Sequence, residues 1–256
     1  MKILKFKKQS KDKYKLYLDN NSDITLYEDV IIKNNLLITK EISDELLEAL
    51  KKQNNDMNAY TLALGYISVK MRSIKEINDY LIKKGFNNLV ANKVSERLIK
   101  EGYLNDLKYT KSFINDSMNL TNKGPQKIKM ELIKYGVNKD IVESEIALID
   151  QRKVEEKLNK LIDKELKIKK GSQNAIKIKI INHFVNLGYS KDLVTSILTG
   201  KEITSDKSKL KKDYAKLYNK YKVKYNGQEL LYFISQKLYS KGYTASDIKE
   251  ILKEEN

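Results

Sequence analysis

Few side chains in this chain are equipped to make or break covalent bonds. Cysteine and tryptophan are absent, His183 is the single histidine, and Arg72, Arg97 and Arg152 are the only arginines. That set excludes a disulfide framework, a thiolate metal site and a multi-histidine metal centre. The 17 tyrosines bring a tyrosine recombinase to mind, but such a centre needs several arginines and histidines around the scissile phosphate. Neither Gly-x-x-x-x-Gly-Lys-Ser/Thr nor Gly-x-Gly-x-x-Gly occurs. Gly-x-Ser-x-Gly is missing as well, as are Asp-x-Asp and Glu-x-x-His. His183, among Ile181, Phe184 and Val185, reads as a packed or surface histidine without a partner base. The paired acids Glu155-Glu156 and Glu254-Glu255 read as solvated helix faces. The expectation is a protein that is not an enzyme and holds neither cofactor nor metal.

Charge is the chemistry that remains. Fifty Lys+Arg against 34 Asp+Glu leave +16 over 256 residues, a balance suited to a polyanion such as nucleic acid or a nucleoprotein. The excess is spread along the chain: 0, +6, −1 and +6 over successive fifties and +5 over 201–256. A basic tail would concentrate it, whereas a long basic surface distributes it. No apolar run reaches the roughly 18 residues needed to span a bilayer. The N-terminal Met1-Lys2-Ile3-Leu4-Lys5-Phe6-Lys7-Lys8 lacks the apolar segment of a signal peptide. A monomeric, cytoplasmic protein without membrane contact is expected.

The elements that carry this charge change texture along the chain. In the first fifty residues Ile3, Phe6, Tyr14, Leu16, Leu18, Ile24, Leu26 and Val30 recur with a period near two. Turn-like clusters separate them, which predicts an antiparallel meander at about 2–7, 13–19 and 24–27. A short helix is expected within 27–36 and another over 43–50, capped by Ser43. From about residue 56 apolar residues recur every three or four positions.

Four segments then repeat one pattern, each a helix end, a glycine and an apolar residue: Leu81 to Phe86, Leu132 to Val137, Phe184 to Tyr189 and Leu238 to Tyr243. Their glycines, Gly85, Gly136, Gly188 and Gly242, are spaced by 51, 52 and 54 residues. Glycine can close a helix in the left-handed conformation, and the apolar residue after it can fold back as in a Schellman motif. Asn87, Asn138, Ser190 and Thr244 can cap the helix that follows. Ser73-x-x-Glu76 and Thr244-x-x-Asp247 have the form of capping boxes. Such a period holds three helices: 58–70, 73–84 and 88–101, then 106–118, 125–135 and 139–149. Next come 151–167, 174–187 and 191–198, and finally 206–221, 227–241 and 245–253. The expected fold is mainly α, an elongated curved array of four tandem three-helix units behind a small β/helix extension. The expected segments are 1–56 for the extension, then 57–104, 105–150, 151–204 and 205–256.

The residues at these positions resemble a known family. Arg72-Ser73-Ile74-Lys75-Glu76-Ile77 with Leu81-x-x-x-Gly85-Phe86 is similar to the first repeat of the RecX regulatory proteins. Leu98-Ile99-Lys100-Glu101-Gly102-Tyr103-Leu104-Asn105-Asp106-x-x-Tyr109-x-x-x-Phe113 continues the likeness. Lys123-Gly124-Pro125-x-x-Ile128-x-x-Glu131-Leu132-x-x-x-Gly136-Val137 is similar to the second repeat. The match covers about 57–149; the last two units share the pattern with looser sequence, and long family members carry a β-containing extension. Two departures stand out. Asn105-Asp106 replaces the family's frequent Asp-Asp, a change that still leaves a capping residue at 105, and lysine is used where relatives favour arginine, which weakens the case for specific bidentate phosphate contacts. The resemblance implies a non-enzymatic regulator that binds the RecA recombinase, mainly as its filament on single-stranded DNA. It implies residence in the filament groove and inhibition of ATP hydrolysis and strand exchange, by blocking extension or by promoting disassembly.

Candidate contacts with such a filament are basic residues near the ends of the middle helices: Arg72, Lys75, Lys123, Lys127, Lys129, Lys177 and Lys179. Two other readings compete. One is a helical-repeat protein that binds DNA or RNA directly through its basic surface; the other is a nuclease with dispersed carboxylates.

Overall fold

The computed structural model describes residues 1–254. Glu255, one member of the Glu254-Glu255 pair, lies outside the described residues. Three strands come first: β1 (Ile3–Lys8), β2 (Lys13–Leu18) and β3 (Asp23–Tyr27), an antiparallel sheet in the order β1-β2-β3. The register pairs Phe6 with Leu16, Leu16 with Ile24 and Tyr14 with Leu26. Period-two alternation therefore turns Ile3, Leu16, Leu18 and Leu26 into one core. Two short helices, α1 (Glu28–Lys33) and α2 (Leu36–Thr39), complete it, separated by Asn35 in the left-handed conformation.

The sequence pattern predicts two separate helices here, over 43–50 and 58–70, with the polar run 51–56 between them. The structure has one: α3 (Asp44–Val69), 26 residues long and capped by Ser43, whose hydroxyl accepts from the Leu46 N–H. The polar run does not break the helix because its side chains are tertiary partners. Asn54 accepts from the Tyr27 N–H at 2.8 Å and donates to the Thr25 carbonyl at 3.0 Å, so its amide pairs with the free edge of β3. Gln53 accepts from Asn34, Asn58 from the Tyr27 hydroxyl, and Asp56 pairs with Lys93.

Helices then follow in triplets. α3 is joined by α4 (Ile74–Lys83) and α5 (Asn88–Lys100). Next are α6 (Asp106–Leu120), α7 (Pro125–Lys134) and α8 (Lys139–Ala147), then α9 (Gln151–Ile168), α10 (Gln173–Asn186) and α11 (Lys191–Thr199). α12 (Lys207–Tyr221), α13 (Gly227–Ser240) and α14 (Ala245–Glu254) end the described chain. The fold is mainly helical, with the small sheet at its N-terminal end. Its contacts divide it into two units, one of Met1–Lys111 with Ile133–Lys139 and one of Ser112–Leu132 with Asp140–Asn256.

Within the first unit, Ala59, Ala63, Ile77, Leu81, Val90, Val94 and Leu98 form the core of α3, α4 and α5. In the second unit one core joins α9, α10 and α11 through Leu158, Ile162, Ile180, Phe184 and Val194. A further core joins α12, α13 and α14 through Leu210, Leu217, Ile234, Leu238 and Ile251. The capping boxes at Ser73/Glu76 and Thr244/Asp247 are both formed. All four repeat glycines have positive φ, between 81° and 94°. Three show the paired Schellman bonds: Phe86 to Leu81 with Gly85 to Ile82, Tyr189 to Phe184 with Gly188 to Val185, and Tyr243 to Leu238 with Gly242 to Tyr239.

The turns also have a second task. The turn after a middle helix rests on the N-terminus of the middle helix one triplet earlier, and it does so three times. In the first unit the Ser73 hydroxyl, wholly buried, donates to the Tyr135 carbonyl at 2.6 Å while it accepts from the Glu76 N–H. In the second unit the Ser172 hydroxyl donates to the Lys241 carbonyl at 2.6 Å and accepts from the Ala175 N–H. At the remaining site Gly124 replaces serine, and its own N–H donates to the Leu187 carbonyl at 2.7 Å. A Cβ on Gly124 would lie 2.6 Å from the carbonyl of Gly188, and one on Gly188 would overlap the backbone of Lys127. Two stretches of backbone meet there with no room for a side chain on either.

The residue opening the next triplet satisfies a further exposed N–H of the helix end. Asp106 accepts from the Ile74 N–H at 3.0 Å, and the Ser205 hydroxyl accepts from the Gln173 N–H at 3.1 Å. Asn105 caps α6 by accepting from the Lys108 N–H. The two residues of Asn105-Asp106 therefore do different work: any capping acceptor suffices at 105, while Asp106 serves the neighbouring helix. Burial raises the Asp106 carboxyl above its ordinary range, against the hydrogen bond from Ile74.

Beneath the last turn, Asp213 accepts from the Lys241 ammonium at 2.8 Å and the Tyr243 hydroxyl at 2.9 Å, the residues on either side of Gly242. Burial pushes its carboxyl upward, but these hydrogen bonds and the Lys241 charge outweigh that and hold it below the usual carboxylate range. A carboxylate depressed in the folded state binds protons more weakly than when unfolded. Its contribution to stability is thus complete above about pH 4 and is lost as pH falls through the folded pKa.

Two outcomes follow for urea unfolding of the whole chain. Gly85→Ala, where a Cβ meets open space, costs about 1–2 kcal/mol from the left-handed backbone alone. Gly188→Ala costs roughly 1–3 kcal/mol more, from overpacking against Lys127; equal losses would show that the backbones are not forced together. Asp213→Asn is less stable than the parent at pH 7, and its stability falls less steeply from pH 5 to pH 3, measured as the urea midpoint against pH.

Candidate functional site

The seven basic candidates fall into two classes by what their charged ends touch. Arg72 lies in the link between α3 and α4 with only 11% of its side chain exposed. Its guanidinium sits 3.8 Å above the Tyr66 ring, which stacks on Tyr80 at 4.1 Å, and it faces Glu76 at 3.4 Å. Lys123 occupies the corresponding place before α7. Its ammonium is 2.5 Å from Glu131 and 5.9 Å from the Phe113 ring. One arrangement thus recurs: a cation just before the middle helix, clamped between an aromatic ring of the first helix and a carboxylate of the middle one. The Lys123 carbonyl also accepts, at 3.3 Å, from Lys157, whose ammonium reaches the Met118 carbonyl at 2.7 Å. Burial lowers the Lys157 pKa.

Lys129 is half-buried and pairs with Glu143 at 2.7 Å. Lys75 is exposed, its ammonium 3.9 Å from Asp79 and its methylene stem packed under Gly136. Lys127 and Lys179 are exposed and Lys177 is half-buried. Among the described residues none of these three has a carboxylate within ion-pair distance. Arg72 and Lys75 belong to the first unit and the other five to the second. Position in the sequence located the N-terminal ends of α4, α7 and α10 correctly. It gave no sign that Arg72, Lys123 and Lys129 would be engaged inside the fold.

A polar cluster outside the seven candidates joins α3 to α5. The Arg97 guanidinium lies 3.8 Å over the Tyr60 ring, and Glu101 accepts from both Arg97 at 2.8 Å and the Tyr60 hydroxyl at 2.6 Å. Burial and the hydrogen bond to Glu101 push the Tyr60 hydroxyl up to about 12. This tyrosine stays protonated and acts as a strut rather than an acid. The signal for it is the i,i+4 spacing of Arg97 and Glu101. His183 is exposed, its ring edge-on to Phe184 at 5.0 Å. On α12, Tyr214 is buried and Tyr221 half-buried, whereas Tyr218 is exposed. Among the described residues no group of three or more His, Cys, Asp and Glu side chains could hold a metal ion. No helix among them is long and apolar enough to cross a membrane.

Residues 59–98 match the family model of the RecX first three-helix domain, and residues 105–144 match that of the second. A regulatory protein RecX from Streptococcus uberis is 35% identical over 259 residues, an alignment that covers 99% of each chain. The chain belongs to the RecX family. A regulatory protein RecX from Streptococcus agalactiae is 32% identical and also aligns over 99% of both chains. Among solved structures, RecX from Lactobacillus salivarius is 27% identical with a TM-score of 0.52, covering 57% of this chain and 96% of its own. Another crystal structure of a regulatory protein RecX, 21% identical, reaches a TM-score of 0.66 over 77% of this chain and 98% of its own, a likeness of fold. The first RecX domain model runs from the second half of α3 into α5 and the second from α6 into α8, so the third and fourth triplets rest on whole-chain alignment and on their own geometry.

The contrast between clamped and unpaired cations is measurable. Arg72→Gln is expected to lose about 1–2 kcal/mol, the worth of a desolvated cation–aromatic contact. Lys127→Gln leaves thermal unfolding unchanged within error. If the two variants melt alike, the clamp at Arg72 contributes nothing to stability.

Proposed function

We propose that this chain regulates the RecA recombinase by binding its filament on single-stranded DNA. Binding lowers ATP hydrolysis, strand exchange and filament growth, and thereby tempers recombination, DNA repair and the SOS response. The observation that carries this reading is alignment along nearly the whole chain with regulatory proteins of the RecX family. The charge of +16 supports a nucleoprotein partner, and a repertoire with one histidine and no cysteine suits regulation by binding. Lys75, Lys127, Lys177 and Lys179 are the preferred contacts among the original seven. Arg72, Lys123 and Lys129 hold carboxylates at 2.5–3.4 Å with largely buried side chains, and moving them to a new partner would leave those acids unpaired, whereas the 3.9 Å contact of Lys75 with Asp79 is long and exposed on both sides. The working state is a monomer in the cytoplasm.

The test assembles RecA on single-stranded DNA with ATP and adds the full chain. ATP hydrolysis and strand exchange are expected to fall as the protein approaches stoichiometry with RecA. Rates unchanged at a stoichiometric excess would sink the proposal.

A further inference from the structure

α12 has two flanks, and its lysines are treated differently on each. The core side carries Leu210, Tyr214 and Leu217. On the flank toward α14, Lys207 pairs with Glu250 and Lys211 with Glu254 at 2.8 Å. On the opposite flank stand Lys209, Lys212, Lys216 and Lys220, all exposed. At 100° per residue these four fall within an arc of about 80°, one lysine per turn over about 16 Å. Among the described residues none of the four has a carboxylate within ion-pair distance. Lys209 adds to the field at Asp213, but that carboxylate is buried and taken by Lys241 and Tyr243. Lys220 lies 5.2 Å from the Tyr221 ring centroid.

Like charges spaced three and four apart on a helix repel and destabilise it. Matching acids are placed on the α14 flank of the same helix and withheld here, so the stripe works against stability. We infer that the exposed lysine stripe of α12 binds the phosphate backbone of single-stranded DNA directly, without a recombinase. Charge complementarity favours this occupant. A single-sign row repeating once per turn matches a polymer carrying one charge per nucleotide, whereas an acidic protein face would mix both signs. Lysine, a mobile point charge on a flexible stem, fits phosphate contact without base reading. This stripe shares no residue with the seven candidates, and the inference does not depend on the recombinase reading.

The experiment compares three full-length proteins by fluorescence anisotropy with a labelled single-stranded oligonucleotide across salt concentrations, with no RecA present. The first is the parent chain. The second carries Lys209→Gln, Lys212→Gln, Lys216→Gln and Lys220→Gln. The third carries the same loss of charge at exposed lysines elsewhere: Lys5→Gln, Lys7→Gln, Lys100→Gln and Lys108→Gln. The stripe variant is expected to bind at least 10-fold more weakly, with a log–log salt slope shallower by about 3, as four lost phosphate contacts require. Its melting temperature is expected to hold or rise as repulsion is relieved, which separates lost binding from lost folding. The scattered variant stays within about threefold of the parent. Equal losses in both variants, which would reflect net charge alone, overturn the inference, as does a parent that does not bind or a stripe variant that binds like the parent.

Discussion

The fold depends on closing a helix end against the start of another helix with almost nothing between the two backbones. A helix start leaves N–H groups without partners, and a glycine turn leaves carbonyls without partners. Setting one on the other lets each solve the other's problem. Ser73 and Ser172 do this with one hydroxyl that accepts from its own helix and donates across to the turn. Gly124 does it by bringing the main chain closer and donating its own N–H to the Leu187 carbonyl. Neither solution tolerates a larger residue, because the buried polar groups would lose their partners and the backbones would collide.

This constraint explains what the sequence made legible. Glycines recurring at 51, 52 and 54 residues were visible because only glycine meets the demand, and the cap residues because few side chains can accept from a helix start. The helices between them follow from a three-to-four spacing of apolar residues. What escaped was tertiary use of polar side chains. Gln53, Asn54 and Asp56 look like a link in sequence, yet each reaches across to another element. Arg72 and Lys123 look like solvated cations, yet each lies near an aromatic ring and a carboxylate. Composition cannot separate a charge that faces water from one already spoken for, because the partner stands 4 to 8 residues away or on another element.

The basic excess is therefore not one reservoir. Some lysines, such as Lys207 and Lys211, stitch neighbouring helices together, and others cover apolar surface with their stems, as Lys75 does beneath Gly136. Only the remainder is available to a partner. Lysine in place of arginine suits that division: a paired lysine needs one acid, and an unpaired one binds phosphate without imposing a geometry.

The unbroken course of α3 has a mechanical consequence. Its first half is built into the N-terminal sheet through Asn54 and its second half into the core with Ile77 and Leu98. A 26-residue helix without a proline is a stiff shaft of about 39 Å. A push or twist applied at the sheet is delivered to α4 and α5 with little slack. The N-terminal layer is in this sense a handle fixed to the first triplet, and a cut at residue 56 would sever the shaft.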